Sequence, residues 1–318
     1  MKFDRPRIVR RAVHGVLLLD KPLGLSSNDA LQRVKRLFRA EKAGHTGTLD
    51  PLATGLLPLC FGAATKFAQV SLDADKGYRA TLQLGRTTST GDAEGEVLQE
   101  RKVAVTRESV EAACRRFIGP IAQVPPMHSA LKHEGRALYD YARAGIEIER
   151  APREVTIHAI ELVDWAGDRL VLDVRCSKGT YIRSLAADLG EALGCGAHLA
   201  ALRRTVSGAL NVASAQTLDA LDALDEPARD ALLLPADALL ADWPEVRLDD
   251  DDAGRFLSGL RRRVDAADAQ RVRVYGPACG PGHRAFLGSA HIQARELIPT
   301  RLLSPLEVQG LLDAPARP

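Results

Sequence analysis

The sequence is poor in cysteine, and its few cysteines form no recognisable site. They are odd in number and scattered, and no two of them make a Cys-x-x-Cys pair: Cys60, Cys114, Cys176, Cys195 and Cys279. This spacing argues against both a disulfide framework and a zinc site. We therefore expect reduced cysteines in packed positions, where a thiol behaves as a small hydrophobic group.

Long hydrophobic runs are also absent. No apolar segment reaches the roughly 18 residues that a membrane-spanning helix needs. The segment from Met1 to Arg11 is basic, but "GVLLLD" after it is too short for a signal-peptide core and ends in a charge. These features predict a cytoplasmic protein without a membrane partner.

Nucleotide-binding motifs are missing as well. The glycine-rich stretch "GHTGTLDPLATG", Gly44 to Gly55, invites comparison with a phosphate-binding loop. A Walker loop ends in Gly-Lys-Ser/Thr, whereas here no lysine follows a glycine and Asp50 would repel a phosphate. The dinucleotide pattern G-x-G-x-x-G is absent too. We expect no nucleotide cofactor.

Charge is distributed unevenly along the chain. The formal net charge is only +2, but Ser214 to Asp252 contains twelve acidic and two basic residues, which leaves −10 there and +12 elsewhere. Basic residues crowd the first 45 positions: Arg5, Arg7, Arg10, Arg11, Arg33, Lys35, Arg36, Arg39 and Lys42. A polyanion such as RNA is one partner that fits this pattern. A solvated charged surface is the alternative, and charge alone does not separate the two.

Hydrophobic periodicity predicts an α+β fold with a mixed, mostly antiparallel central sheet flanked by helices. Segments typical of strands are "HGVLLLD", "GLLPLCFG", "GYRATLQLG", "REVTIHAIELVDW" and "DRLVLDVRCS", and segments typical of helices follow Ser26–Asn28, Thr106 and Thr180. Beyond Trp243, three short strand-like runs predict a small all-β module. The expected division is residues 1–242 and residues 243–318.

A polar segment interrupts this pattern from Gln123 to about residue 150. It interleaves basic residues with tyrosines: His128, Lys132, His133, Arg136, Tyr139, Tyr141 and Arg143. That composition suits contact with looped or single-stranded RNA. An exposed insertion with a short amphipathic helix would account for it equally well.

Asp50-Pro51 allows two interpretations. Aspartate before proline commonly starts a turn, which would make Asp50 a structural residue. The proline also restricts where the carboxylate points, and flanking glycines allow a ligand to approach, as a catalytic carboxylate requires. The local sequence leaves both open.

Four long segments in order resemble the TruB family of tRNA pseudouridine-55 synthases, bacterial type. They are "GVLLLDKPLGLSSNDALQRVK", "GHTGTLDPLATGLLPLCFGAATK", "VPPMHSALKHEGRALYDYARAGIEIER" and "CSKGTYIRSLAADLGEALGCGAHLAALRR". A fifth, "LLLPADALLADWPEVRLDDDDAGRFLSGL", resembles the family's junction into a PUA-like RNA-binding domain. The resemblance implies the pseudouridine synthase fold. It also implies isomerisation of uridine 55 in the T arm of tRNA, with no redox cofactor, nucleotide or metal.

The resemblance assigns three catalytic residues. Asp50 is the essential carboxylate, which either attacks C1′ or takes the C2′ proton, and the sequence does not choose between these routes. Arg183 is its cationic partner, since a guanidinium stays charged and can hold a carboxylate through two bonds. Tyr78 stacks on the uracil and is expected to remove the C5 proton.

Further residues are expected to bind the substrate. Tyr181 and Leu202 line the base pocket by resemblance, and His45 contacts the nucleotides opened by base flipping. Lys21, beside Pro22, is read mainly as support for the Asp50 loop and as a candidate contact with the RNA backbone. His128 departs from the family, which commonly has tyrosine there.

Two other functions remain open from the sequence. One is an RNA-binding folding factor in which catalysis is lost or secondary, which the joint presence of Asp50, Tyr78 and Arg183 disfavours. The other is a guide-dependent relative acting on other RNAs, which the long insertion disfavours by resemblance. A monomer is the expected state.

Overall fold

The computed structural model describes residues 9–280 and 283–313, with the side chains of residues 279 and 283 outside the description. Arg5, Arg7 and the Cys279 thiol therefore lie outside the described part. Four described cysteines, Cys60, Cys114, Cys176 and Cys195, are buried and unpaired, which agrees with the prediction. None of the helices within the described ranges is long and apolar enough to cross a membrane.

A nine-stranded mixed sheet forms the centre of the larger part of the protein. Its main path runs β1-β3-β12-β4-β11-β10-β7, with β2 on β3 and β13 on β12. The ranges are β1 Gly15–Lys21, β2 Ala43–His45, β3 Ala53–Phe61, β4 Lys76–Leu84, β7 Gly119–Gln123, β10 Arg153–Ala166, β11 Arg169–Cys176, β12 Ala197–Ser207 and β13 Leu210–Asn211. All of these pairs are antiparallel except β3 with β12, which confirms the predicted fold class.

Three helices on this part were predicted from the sequence: α1 Ser27–Leu37, α3 Arg107–Arg116 and α5 Ile182–Ala192. Helix α2 Ala68–Asp73 and the β5–β6 hairpin, which joins Arg86–Thr88 to Val97–Glu100, were not. Ser26 and Thr106 accept the N-cap hydrogen bonds of α1 and α3. Helix α5 begins two residues later than predicted, because Thr180 donates its hydroxyl to the Ser177 carbonyl and Tyr181 takes the N-cap position.

A five-stranded sheet follows in the C-terminal part, in the order β14-β16-β17-β18-β15. Its strands are β14 Glu245–Arg247, β15 Arg262–Arg263, β16 Ala269–Gly280, β17 His283–Gln293 and β18 Glu296–Leu302. Two helices that the strand-only prediction missed pack with it, α8 Asp250–Leu257 and α9 Pro305–Leu312. The α8 segment reads as a polar run in sequence because its first turn is Asp250–Asp252, which favours a helix N-terminus.

The two sheets share one hydrophobic cluster. Val16 and Leu56 of the larger sheet belong to the same buried cluster as Val272 and Phe286 of the smaller one. The rings of Phe67 and Phe286 lie 5.3 Å apart between centroids, a separation typical of a favourable aromatic contact. The C-terminal sheet is therefore packed against the larger part rather than joined by an open linker.

The acidic segment pairs with part of the basic N-terminal region. Helices α6 Leu218–Ala223 and α7 Glu226–Ala231 lie in this segment. Asp230 binds the Arg11 guanidinium through two bonds of 2.6 Å, and Glu226 accepts from Arg39. These two arginines are committed to intramolecular pairs, so they count toward the fold rather than toward a free polyanion-binding surface.

The insertion forms a small hairpin and a short helix. Its elements are β8 Lys132–His133, β9 Arg136–Ala137 and α4 Leu138–Arg143. The Arg136 guanidinium lies 4.6 Å from the Tyr141 ring centroid, and that of Arg143 lies 5.2 Å from the Tyr139 ring centroid. Basic and aromatic side chains thus contact each other here, in addition to being interleaved in the sequence.

Candidate active site

The glycine-rich stretch Gly44–Gly55 is not a single loop. It contains the end of one strand, a turn and the beginning of the next strand. Strand β2 ends at His45 and β3 begins at Ala53, so only Thr46–Leu52 is irregular. The Ala53 amide donates to the Asp50 carbonyl at 3.0 Å, which closes a turn with Pro51 in the position that proline favours. Asp50 is therefore a turn residue, as one interpretation predicted.

Both neighbours of Asp50 are fixed by the segment that follows β1. The Ser27 hydroxyl accepts from the Leu49 amide at 2.7 Å and lies 3.1 Å from the Leu49 carbonyl oxygen. On the other side, the Gly24 amide donates to the Pro51 carbonyl at 2.9 Å. The backbone of Asp50 is held from both ends, which restricts the direction of its carboxylate.

The carboxylate of Asp50 faces Arg183, the partner that the family resemblance implies. Asp50 Oδ2 lies 3.0 Å from Nη2 of Arg183, which stands in the first turn of α5. The Arg183 side chain is 7% exposed and that of Asp50 is 45% exposed. A charge-assisted bond from a buried guanidinium orients one carboxylate oxygen, while the exposure of Asp50 leaves the group open to a ligand.

A second carboxylate, that of Asp92, also contacts the Arg183 guanidinium, and the sequence did not single it out. Asp92 Oδ2 lies 3.4 Å from Nη1 of Arg183, and Asp92 is 3% exposed. Asp92 also accepts from the Thr90 hydroxyl and from the Glu94 amide, so its own position is fixed. In sequence it stands in "STGDAEG", where aspartate is an ordinary turn residue, and nothing local marks it as the partner of a distant arginine.

Arg183 also ties the insertion to the site. Its Nη2 donates to the carbonyl of His128, and its Nη1 to the carbonyl of Thr90. The contact with His128 uses the backbone, so the departure from the family's tyrosine does not remove it. One guanidinium thus joins the Asp50 turn, the insertion and the loop that carries Asp92.

Tyr78 lies on β4 directly opposite Arg204 of β12 and Val174 of β11. It packs between two hydrophobic clusters, and Leu202 packs against the same two. Burial raises the pKa of the Tyr78 phenol, while the nearby positive charge of Arg204 opposes that increase. The resting side chain is therefore a neutral phenol at neutral pH.

Tyr181 is held at the start of α5 by a buried glutamine that the sequence did not single out. The Gln123 side chain accepts from the Tyr181 amide at 2.7 Å and donates to the Tyr181 carbonyl at 3.0 Å. Burial raises the pKa of the Tyr181 phenol as well. Gln123 ends β7 where the insertion begins, so this pair of bonds fixes the base of the insertion to the site.

His45 ends β2 just before the Asp50 turn and is half-buried. Its pKa is lowered, first by burial and then by the charge of Arg204. Its Nδ1 atom has no hydrogen-bond partner in the described part of the chain. The ring is therefore neutral at neutral pH, which suits stacking rather than an ion pair with phosphate.

Lys21 ends β1, and its expected contact with the RNA backbone stays a prediction. Lys21 is fully buried, and its ammonium donates to the carbonyls of Pro22 at 2.9 Å and Leu25 at 2.6 Å. Burial lowers its pKa to about 8, although the charge of Asp50 opposes this decrease. Lys21 closes the loop whose Gly24 amide holds Pro51, an arrangement that favours a supporting role for this side chain.

Comparison with protein families gives three adjacent matches. Residues 35–182 match the model of the TruB family pseudouridylate synthase N-terminal domain. Residues 183–241 match the tRNA pseudouridylate synthase B C-terminal domain, and residues 244–303 match the pseudouridine synthase II TruB C-terminal model. Together they cover nearly all of the chain from the first helix onward.

Curated relatives are similar over almost their full length. The chain is 60% identical over 300 residues to a tRNA pseudouridine synthase B of Ralstonia nicotianae, covering 92% of this chain and 95% of the relative. It is 57% identical over 299 residues to one of Thiobacillus denitrificans, covering 94% and 98%.

Solved structures agree in fold. A Cbf5-Nop10-Gar1 complex matches with a TM-score of 0.69 at 24% identity, covering 93% of this chain and 87% of that one. An archaeal box H/ACA sRNP Nop10-Cbf5 complex matches with a TM-score of 0.64 at 24% identity, covering 93% and 82%. At this identity the likeness establishes the architecture alone.

Proposed function

The chain belongs to the TruB family of pseudouridylate synthases, and on that premise we propose that it converts uridine 55 in the T arm of tRNA to pseudouridine. The observation that carries this proposal is the Asp50 carboxylate, 3.0 Å from a buried guanidinium and still open to a ligand. The printed names of the curated relatives support tRNA as the substrate.

In the proposed reaction the N1–C1′ bond breaks, the uracil turns, and C5 bonds to C1′. Asp50 starts either route, by attack on C1′ or by removal of the C2′ proton. Both routes need a carboxylate held in a fixed direction, and the contact with Arg183 orients Asp50. Asp92 orients Arg183 and therefore affects the reaction indirectly, through the position of the Asp50 carboxylate.

The remaining residues are proposed to receive the flipped uridine. Tyr78 stacks on the uracil and takes the C5 proton, while Tyr181 and Leu202 line the base pocket. His45, neutral and half-buried beside the turn, stacks on the nucleotides that flipping opens. This contact would offset part of the few kcal/mol that unstacking costs.

Two further parts are proposed to extend the RNA contact. The insertion over residues 123–150 would close on the T loop, supported by its bond between Arg183 and the His128 carbonyl. We assign residues 1–242 to the catalytic domain and residues 243–318 to a PUA-like RNA-binding domain. The protein would act in the cytoplasm as a monomer, without a metal, redox or nucleotide cofactor.

Tritium release from tRNA labelled at uridine C5 tests the proposal. The wild-type protein should release tritium, and mapping of the product should place pseudouridine at position 55. Tight tRNA binding without release would instead indicate an RNA folding factor. Modification lost outside the T loop in a deletion strain would indicate a relative that acts on other RNAs.

A further inference from the structure

Arg204 is a fully buried cation beside the proposed catalytic residues. It lies on β12, is 1% exposed, and shows no ion pair with a carboxylate among the described residues. Its Nε donates to the Leu56 carbonyl at 2.7 Å. Its Nη1 and Nη2 lie 3.5 Å from the carbonyl oxygens of Thr48 and Gly47, within the turn that carries Asp50.

A buried guanidinium without an acidic partner is costly. Carbonyl oxygens satisfy its N–H groups but supply no opposite charge, so the desolvation cost is only partly offset. Desolvation lowers the pKa of Arg204, while Tyr78 is the titratable group that opposes this decrease. Uncompensated charges of this kind are characteristic of functional sites, where the charge acts on another group.

The group that it acts on is Tyr78. The two residues are direct cross-strand partners in the antiparallel pair of β4 and β12, so their side chains share one face of the sheet. Directly opposite residues have Cβ atoms about 5 Å apart, within reach of an arginine and a tyrosine. The positive charge of Arg204 opposes the increase in the pKa of Tyr78 that burial causes, which agrees with a guanidinium close to the phenol.

We propose that Arg204 is a positioning residue for the last chemical step, in which its charge stabilises the Tyr78 phenolate that removes the C5 proton. This inference rests on the proposed function and deepens it. Burial by itself would keep Tyr78 in its neutral form, because a phenolate without a counter-charge is unfavourable in a desolvated site. A fixed cation beside the phenol offsets that penalty when the negative charge forms.

The step balances in atoms and electrons. After C5 has bonded to C1′, the uracil ring carries an N1=C6 double bond and a hydrogen on a tetrahedral C5. Tyr78, a neutral phenol at rest, first gives its proton to water. The resulting phenolate takes the C5 proton, and the C5–H electron pair becomes the C5=C6 double bond. The N1=C6 pair moves onto N1, which takes the proton that the water received, and Tyr78 is again a neutral phenol.

The same guanidinium connects the two halves of the site. It lies 3.5 Å from the carbonyl oxygens of Gly47 and Thr48, and it is the cross-strand partner of Tyr78. Substitution of Arg204 therefore risks both a misplaced turn and the loss of the phenolate. The experiment must separate these two effects.

The test compares Arg204→Gln and Arg204→Lys on tRNA with hydrogen or deuterium at uridine C5. Arg204→Gln should slow turnover about 10- to 100-fold, because it removes part of the contribution of general-base catalysis. Its H/D rate ratio should rise severalfold above the wild-type ratio, since C5 deprotonation becomes rate-limiting. Arg204→Lys keeps the charge and should restore a ratio near that of the wild type.

A 5-fluorouridine substrate isolates the earlier steps. A base cannot remove fluorine as a cation, so glycosidic cleavage and rejoining proceed without the C5 step. Arg204→Gln should consume this RNA at nearly the wild-type rate. Equal slowing of both substrates with an unchanged H/D ratio in both Arg204 variants would overturn the proposal, because it would indicate only a misplaced turn.

Lys76→Met is the matched control. Lys76 is also a buried cation on β4, but it donates to the Ser71 and Ala74 carbonyls rather than to Tyr78. This variant should lose stability and keep the wild-type H/D ratio. Failure of the proposed function would show as an inactive wild-type protein, whereas failure of this inference needs an active wild type with an unchanged ratio in the Arg204 variants.

Discussion

Arg183 Nη2 lies 3.0 Å from Asp50 Oδ2, and the two residues differ sharply in exposure. The arginine is buried behind the turn, and the aspartate faces outward. A buried donor with an exposed acceptor orients the carboxylate without covering it. This relationship supports a catalytic role for a residue whose local sequence predicts only a turn.

Asp92→Asn should lower kcat about 10- to 100-fold and leave the Kd for tRNA nearly unchanged. The amide keeps the shape of Asp92 but removes the charge that orients Arg183, and small misplacements of a reacting group can cost this much. Single-turnover kinetics and filter binding would measure the two quantities. Asp173→Asn, which breaks an exposed pair with Arg79, is the control and should leave kcat unchanged.

Gln123→Leu should weaken tRNA binding and lower kcat together. The substitution removes both hydrogen bonds to the Tyr181 backbone, which releases the base of the insertion from the site. Gln123→Glu still accepts from the Tyr181 amide and should lose less activity. Wild-type kinetics in both variants would contradict a positioning role for this side chain.

His45→Phe should bind tRNA better than His45→Ala, because a flat neutral ring can replace the imidazole in stacking. The pKa of His45 lies below the ordinary 6.5, so the ring is almost entirely neutral from about pH 7.5 upward. The affinity difference between wild type and His45→Phe should then be constant from about pH 7.5 to 8.5. A wild-type advantage that grows as the pH falls through this range would indicate a protonated contact with phosphate instead.

Lys21→Met should lower the Tm and kcat but leave the Kd for tRNA close to that of the wild type. The ammonium is directed at the Pro22 and Leu25 carbonyls, so its loss loosens the support of the Asp50 turn rather than an RNA contact. Lys102→Met, at an exposed lysine, is the control and should match the wild type in all three quantities. A large loss of affinity with an unchanged Tm would contradict this expectation and support the contact with the RNA backbone.

Local sequence was enough to predict most of the elements. The apolar face of α1 with its Ser26 cap, and the paired strands around Ala166-Gly167, follow from period and turn residues. The Asp50-Pro51 turn also follows from local chemistry. These features depend on residues that are neighbours in the chain, and for that reason they can be predicted from one sequence.

The supporting residues depend on contacts between distant segments. Asp92 lies 91 residues before Arg183 in the chain, and Gln123 lies 58 residues before Tyr181. Neither residue stands in a local motif that would indicate its partner. Arg204 stands within a matched motif, but its link to Tyr78 depends on the register of β4 against β12. The burial of the Lys21 ammonium also depends on the fold, since a lysine side chain is usually exposed.

The most direct test is single-turnover tritium release from C5-labelled tRNA by Asp50→Asn, alongside tRNA binding. Asparagine keeps the shape of the side chain and can neither attack C1′ nor take a proton. We predict no measurable release, with a Kd within about threefold of the wild type. Asp50 is expected to act in the chemical step and to contribute little to tRNA binding. Release at the wild-type rate would place the essential carboxylate elsewhere and contradict the account.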